Sequence, residues 1–374
     1  MTQTIEVRTV KTRGDRKQFI KLPWKIYAGD PNWVPPLMMD HKKMLTPGKH
    51  PYYEHGEVEF FMVFKDGRLA GRMTAHTNTL HNEIHRDKVG FFGFFECEDD
   101  PDCAKALFDA GGKWLKSKGM DTMRGPDSFS QNEIVGLLVD AFDMPPMFDM
   151  AYNPSYYEKL VDGYGFKLAK NLYAYRFYSN QEMPEKVGRV AEMIKKRKGI
   201  EVRTVNFKDW DNELMRVKRV YNSAWTLNWG FCPITEAEFQ KLVHDLKPVA
   251  VKDLVMFAFV DGQIAGISVT LPDINVIIKQ IKGRLFPFGF IKILTGVKKI
   301  KTARVTIMGV VHEYQKLGLD AVFYIESLKA ARRLGIEWGE LSWILEDNLP
   351  MVRALENLGA KIYKTYKVYD YKLK

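Results

Sequence analysis

The sequence has no apolar run that reaches the ~18–20 residues a membrane-spanning helix needs, which excludes an ordinary helical membrane protein. Cysteine is scarce. Cys97, Cys103 and Cys232 are odd in number and form no CxxC pair, which argues against a disulfide framework and a zinc knuckle. The first residues, Met1 to Val7, lack the basic-then-apolar plan of a secretion signal. A reduced, cytoplasmic setting is the expectation. Acidic residues are outnumbered, 46 against 56 basic ones, for a net charge of +10. That balance admits an anionic partner, whether phosphate, nucleic acid or lipid headgroup, without choosing among them. What is present is apolar: 46% hydrophobic with 13% aromatic residues, enough for packed cores and too much for a disordered chain. A length of 374 residues favours two domains.

The chain contains itself twice. Ile5-Glu6-Val7-Arg8-Thr9-Val10 returns unchanged as Ile200-Glu201-Val202-Arg203-Thr204-Val205, an offset of 195. Val63 to Gly71 returns at the same offset as Ala258 to Gly266. Two segments sharing one offset mark an internal repeat. Each half reads as a strand, a helical region with an Asn-Trp pair (Asn32-Trp33; Asn228-Trp229), and a hairpin turning on Asp-Gly. A further strand follows, Val89 to Phe95 or Arg304 to Val311. Then comes an amphipathic helix, Asp102 to Lys118 or Leu319 to Leu334, closed by Gly119 or Gly335. A short helix and an aromatic strand complete each half, Leu172 to Tyr178 and Ile362 to Tyr371. Mixed strands and helices in this order predict an α/β (α+β mixed-sheet) domain, twice over. The expected boundaries are 1–179 and 200–374, joined by a linker helix over 180–199 whose Lys195-Lys196-Arg197-Lys198 faces water.

The stretch Val310-Val311-His312-Glu313-Tyr314-Gln315-Lys316-Leu317-Gly318-Leu319-Asp320 lies between a strand and a helix. Together with Trp343 to Asn348 and Leu358-Gly359-Ala360, it resembles the GNAT superfamily of acyl-CoA-dependent N-acyltransferases. The resemblance covers nearly all of Ile200 to Lys374 and, more faintly, Ile5 to Tyr178. It implies two GNAT-like modules in tandem, with an acyl group, acetyl by expectation, passing from acyl-CoA to the amine of a small molecule or peptide. It places CoA on Val310, Val311, Gln315, Lys316, Leu317, Gly318, Leu319 and Asp320, with backbone groups of Val310 and Val311 along the pantetheine arm. The chemistry is sound on its own terms, because free N–H groups at a helix N-terminus bind a pyrophosphate. A strand N–H at the thioester would stabilise the oxyanion. Asp320 departs from the small residue usual there. Leu355 stands where the superfamily often carries a proton-donating tyrosine, seven residues after Asn348.

A carboxylate is the usual means of deprotonating an amine, so Glu340 and Glu346, with Asn348, are the catalytic candidates. Trp225, Asn228, Trp229, Asp273 and Asn275 are the candidate acceptor pocket. Tyr363 and Tyr366 read as strand packing. In the first half the equivalent junction, Phe95 to Cys103, has five acidic residues among nine and no Q-x-x-G, so CoA is expected in the second half alone. Two modules with one degenerate phosphate loop are also similar to the Fem-type aminoacyl transferases, one alternative, under which tRNA would be a partner; the missing tyrosine motivates another, a non-catalytic CoA- or ligand-binding protein of the same fold. No metal is expected: His81 and His85 lie four apart without the H-E-x-x-H order and read as solvated loop histidines. Lys279 to Lys301 holds seven basic residues and no acidic one, interleaved with Phe286, Phe288, Phe290 and Ile291. It reads as a lid with its aromatics packed over the cleft, and secondarily as a membrane-surface contact.

Overall fold

The computed structural model describes residues 3–226 and 228–374; Met1, Thr2 and Leu227 lie outside the described residues. The repeat seen in the sequence is a repeat of strand register. In the first half β1 (Ile5–Thr9) pairs antiparallel with β2 (Val58–Lys65), Ile5 opposite Lys65. After β3 (Arg68–Thr77), β4 (Val89–Cys97) and a helix α1 (Pro101–Ser117), β5 (Thr122–Gly125) lies parallel to β4. The second half begins with helix α2 (Glu185–Lys196), β6 (Ile200–Thr204) and helix α3 (Trp210–Ala224). There β6 pairs with β7 (Val255–Val260), Ile200 opposite Val260, so both partners keep the offset of 195. The order continues with β8 (Gln263–Pro272), helix α4 (Gly289–Gly296), β9 (Thr302–Val310), helix α5 (Leu319–Leu334), β10 (Trp338–Leu345), helix α6 (Leu349–Asn357) and β11 (Lys361–Lys372). Each hairpin turns on two residues at positive φ, Asp66 and Gly67 (50° and 76°) or Asp261 and Gly262 (48° and 76°). That is the geometry of a tight turn matched to strand twist.

Two compact units result: Met1–Leu172 with Ile278–Pro287 and Lys364–Lys374, and Tyr173–Ile277 with Phe288–Tyr363. In the first, the strand order is β1-β2-β3-β4-β5, and the end of β11 (Tyr369 to Lys372) pairs against β5. Its core packs Leu107, Phe108 and Leu115 of α1 on Met73 and Phe92 of the sheet. In the second, the order is β6-β7-β8-β9-β10. Leu319, Val322 and Phe323 of α5 pack on Ala258 and Ala265, and Ala191 and Ile194 of α2 join them. Thus α2, which reads from the sequence as a linker, buries its apolar stripe in the second unit, while Lys195 to Lys198 stay exposed. Mixed sheets covered by helices are the fold class expected. No helix among the described residues is long and apolar enough to cross a membrane.

Candidate active site in the second unit

The site arises where two parallel strands part. Strands β9 and β10 are in register from Thr302 opposite Trp338 to Val305 opposite Leu341. Beyond that, β9 runs on to Val310 and β10 to Leu345 unpaired with each other among the described residues, and every residue from Val305 to Val310 is only partly buried. On its other side β9 stays paired with β8, Gly266 opposite Val310. The Val311 N–H donates to the Ala265 carbonyl at 2.8 Å, so Val311 and Gly309 point their backbone groups at β8. The alternation of an antiparallel ladder turns those of Met308 and Val310 the other way, toward the opening. Of the two residues expected along the pantetheine arm, only Val310 offers its N–H there.

Past β9 the chain forms a short 3-10 turn, His312–Leu317, and enters α5 through Gly318 at φ 79°. Among the described residues, no side-chain hydrogen bond caps α5. A Cβ on Gly318 would lie 3.2 Å from the Val190 Cγ1 of α2, so glycine suits both the left-handed backbone and the close packing. Leu319 is fully buried and Leu317 packs on the core, which leaves the backbone to meet a ligand. Gln315 donates to the Val310 carbonyl at 3.4 Å. Lys316 is exposed, with no ion pair among the described residues. An uncapped helix N-terminus with a nearby lysine fits a pyrophosphate; Asp320, in the first turn, works against it.

The corresponding place in the first unit is already filled. The Asp100 carboxylate caps α1, accepting from the N–H groups of Asp102 and Cys103 at 3.1 and 3.2 Å, and Pro101 follows it. Lys65 pairs with Asp100, and Arg68 and Lys25 pair with Glu98. The acidic loop therefore excludes an external anion mainly by supplying its own; its charge is partly balanced.

The two faces of the second sheet differ. A Cβ on Gly266 would meet Phe323 of α5, whereas one on Gly309 would lie 2.5 Å from the Trp225 ring. Register then places Val305, Met308 and Val310 on the α5 face and Arg304, Ile307 and Gly309 on the α3 face. Glu340, opposite Arg304, shares that second face. It is fully buried, accepts hydrogen bonds from the Ser342 and Tyr363 hydroxyls, and lies 3.8 Å from the Arg304 Nε. Arg304 in turn donates to the Ser342 Oγ at 2.9 Å. Tyr363, which reads from the sequence as packing, thus belongs to a polar cluster at the root of the opening.

The other predicted residues fall out differently. Asn348 caps α6, accepting from the Met351 N–H at 3.4 Å, so its role here is local. Glu346 is partly buried near the C-terminal end of β10, close enough to Tyr173 to push that phenol's pKa up, after burial. Trp225 lies on Gly309, and Asn228 donates its N–H to the Trp225 carbonyl at 2.9 Å, with Trp229 next in the same turn. Asp273 and Asn275 lie elsewhere. Pro272 pairs with Ala303 and Gly266 with Val310, so they sit seven residues of strand, roughly 24 Å, from Val310. There the Asp273 carboxylate caps the Asn275 N–H at 3.2 Å.

Two further readings are corrected. The aromatics of 279–301 do not cover the cleft: Phe286, Phe288 and Phe290 are 90%, 68% and 54% exposed. His81 is buried in a helix, Thr79–His85, with its pKa lowered by burial to about 3, and is not a solvated loop residue.

On the α5 face, beside the opening, lies a small cavity of about 80 Å³. Met308, Tyr324, Leu328, Leu341, Leu355 and Leu358 are among the mainly apolar side chains that line it. The Tyr324 hydroxyl lies 3.4 Å from the Met351 Sδ of α6, and burial raises its pKa.

Comparison with known proteins bears on the fold and the family. No family model matches the chain. It is similar to the bacterial ceramide synthase of Caulobacter vibrioides, 38% identical over 376 aligned positions that cover 98% of this chain and 97% of that one. It is also similar to protein YghO of Escherichia coli K12, 35% identical over 370 positions, 97% and 94% of the two chains. Among solved structures, a tandem GNAT protein from the clavulanic acid biosynthesis pathway superposes with a TM-score of 0.59 over 99% of both chains at 12% identity. A GCN5-related N-acetyltransferase from Sphaerobacter thermophilus gives 0.53 at 11% identity, covering 99% of this chain and 96% of the other. At such identities the structural likeness speaks for the fold.

Proposed function

Because the chain belongs to the family of the Caulobacter bacterial ceramide synthase and YghO, on a tandem GNAT fold, we propose that it is an acyl-CoA-dependent N-acyltransferase that joins a long-chain acyl group to the amine of a long-chain amino alcohol. Ceramide is such an amide. The observation that carries the reading is the passage between β9 and β10, with an uncapped helix N-terminus at one mouth and a buried carboxylate cluster at its root. CoA approaches from the α5 side, its pyrophosphate on the backbone from Gln315 to Asp320. The Val310 N–H, turned into the opening, meets the thioester carbonyl and stabilises the oxyanion that develops there.

The amine comes from the α3 face, past Trp225. Glu340 is its base, taking the proton through Tyr363 or a water, while Arg304 and Ser342 hold the carboxylate in place. Leu355 is buried in the apolar wall and has no proton to give. Tyr324, across the same cavity and holding its proton firmly, is the acid for the departing thiolate. The acyl chain proposed is longer than the acetyl expected from the sequence, because the cavity wall is apolar and each buried methylene contributes about 0.8 kcal/mol.

The test is thiol release from palmitoyl-CoA or acetyl-CoA with sphinganine or a short water-soluble amine, with the amide product identified by mass spectrometry. The long-chain pair should give the highest kcat/KM. Preference for acetyl-CoA, or thiol release that does not depend on the amine, would overturn the reading.

A further inference from the structure

Helix α4 is apolar on two faces. Gly289 and Ile293, and beyond its end Val297 and Ile300, are buried at spacings of four and three. Gly296 lies so close to Ile277 that a Cβ there would be 2.7 Å from its Cδ1. These contacts fix the helix to the second unit. The opposite face carries Phe290, Ile291 and Leu294, which are exposed, with Phe288 exposed just before them. A helix lying on a globular surface presents polar residues to water on that side. Exposed apolar residues scattered singly are ordinary, but a contiguous group with two aromatics marks a contact surface.

The charge around the group is of one sign. Lys292 on the helix and Lys298, Lys299 and Lys301 after it are exposed, and no acidic residue occurs from 279 to 301. Lys292, Lys298 and Lys299 have no anionic partner among the described residues. A second copy of this chain seated here about a two-fold axis would bring those lysines against each other with no local acid to pair them. An anionic lipid surface offers both an apolar interior for the side chains and phosphates for the lysines.

We propose that α4 is an interfacial helix that seats the chain on the surface of an anionic bilayer, with Phe288, Phe290, Ile291 and Leu294 in the headgroup–acyl boundary and Lys292, Lys298 and Lys299 at the phosphates. At eight residues it lies in the interface and does not span it. The proposal stands apart from the acyl-transfer reading, since binding to vesicles needs no turnover.

Vesicle co-sedimentation of the full chain tests it. Mixed phosphatidylglycerol–phosphatidylcholine vesicles should retain the protein about tenfold better than phosphatidylcholine alone, and added salt should weaken that retention. Phe288→Ser, Phe290→Ser and Ile291→Ser combined should lose most of it, with circular dichroism and melting temperature unchanged, because all three side chains are in water. Lys292→Gln, Lys298→Gln and Lys299→Gln combined should keep the weak binding to neutral vesicles and lose the preference for anionic ones. Wild-type protein left in the supernatant with anionic vesicles would overturn the proposal, as would retention of the serine variant at the wild-type level. Light scattering that found a wild-type dimer and a monomeric serine variant, with no vesicle binding, would assign the face to a second copy instead.

Discussion

Arg304 and Glu340 face each other across two parallel strands, buried, with Ser342 and Tyr363 closing the group. Removing one partner of such a pair leaves a charge without compensation in a low-dielectric site, which costs about 3–5 kcal/mol. Glu340→Gln is therefore expected to lower the denaturant midpoint as well as to reduce kcat by ~10²-fold or more. Tyr363→Phe separates the two effects. It leaves the ion pair in place, so its stability loss should be about 1–3 kcal/mol, while kcat should still fall and the KM for acyl-CoA hold. A Tyr363→Phe enzyme with unchanged kcat would make the cluster purely structural. Gly318 allows an equally direct trial. Glutamate there must take a left-handed backbone, at ~1–2 kcal/mol, beside Val190 and with its charge at the proposed phosphate site. Calorimetry should find no CoA binding to Gly318→Glu, whereas Glu98→Ala with Asp99→Ala should bind as the wild type does.

At the scale of elements, the two strand–loop–helix junctions have the same topology and opposite chemistry. Capping distinguishes them: Asp100 caps the start of α1, and among the described residues no side-chain hydrogen bond caps the start of α5. Beside β4 in the first unit a second consequence of burial appears. Asp127 is buried, its Oδ1 has no hydrogen-bond partner among the described residues, and desolvation pushes its pKa up to about 8. Between the ordinary carboxylate range and pH 8 the folded chain holds a proton that the unfolded chain has lost. Its contribution to stability therefore declines as pH rises through that window. Melting temperatures measured from pH 5 to about 9 should fall, and Asp127→Asn should flatten the fall. A variant whose profile still parallels the wild type would show that another group sets the slope.

On the scale of the whole molecule, the chain is two similar modules, and they differ at the helix start, which Asp100 caps in the first and no N-cap side chain caps in the second. One CoA per chain is the expected stoichiometry in calorimetry; a value of two would mean that the first unit binds as well, despite Asp100. Differences between modules of this kind lie in a few side chains at a helix start, and they leave register and core almost untouched, as the equal offsets of Ile5–Lys65 and Ile200–Val260 record.

The amino-acid sequence alone determined the repeat, the Asp-Gly hairpins, the helix ends at Gly119 and Gly335, and the run from Val310 to Asp320. All of these depend on near neighbours in the chain: turn conformation, helical period, and a helix start that follows directly on a strand. Only the tertiary structure decided which carboxylate stands at the opening. Glu340 meets Arg304 because parallel register sets residues 36 positions apart opposite each other, and Tyr363, 23 positions further along the chain, reaches its carboxylate from β11. No local pattern encodes that pairing, so Tyr363 read as packing. For the same reason Asp273 and Asn275 read as site residues although antiparallel pairing carries them to the far end of β9. The exposure of Phe288 and Phe290 was likewise beyond the sequence, since composition states that a segment is basic and aromatic, and only packing states which side of it is left in water.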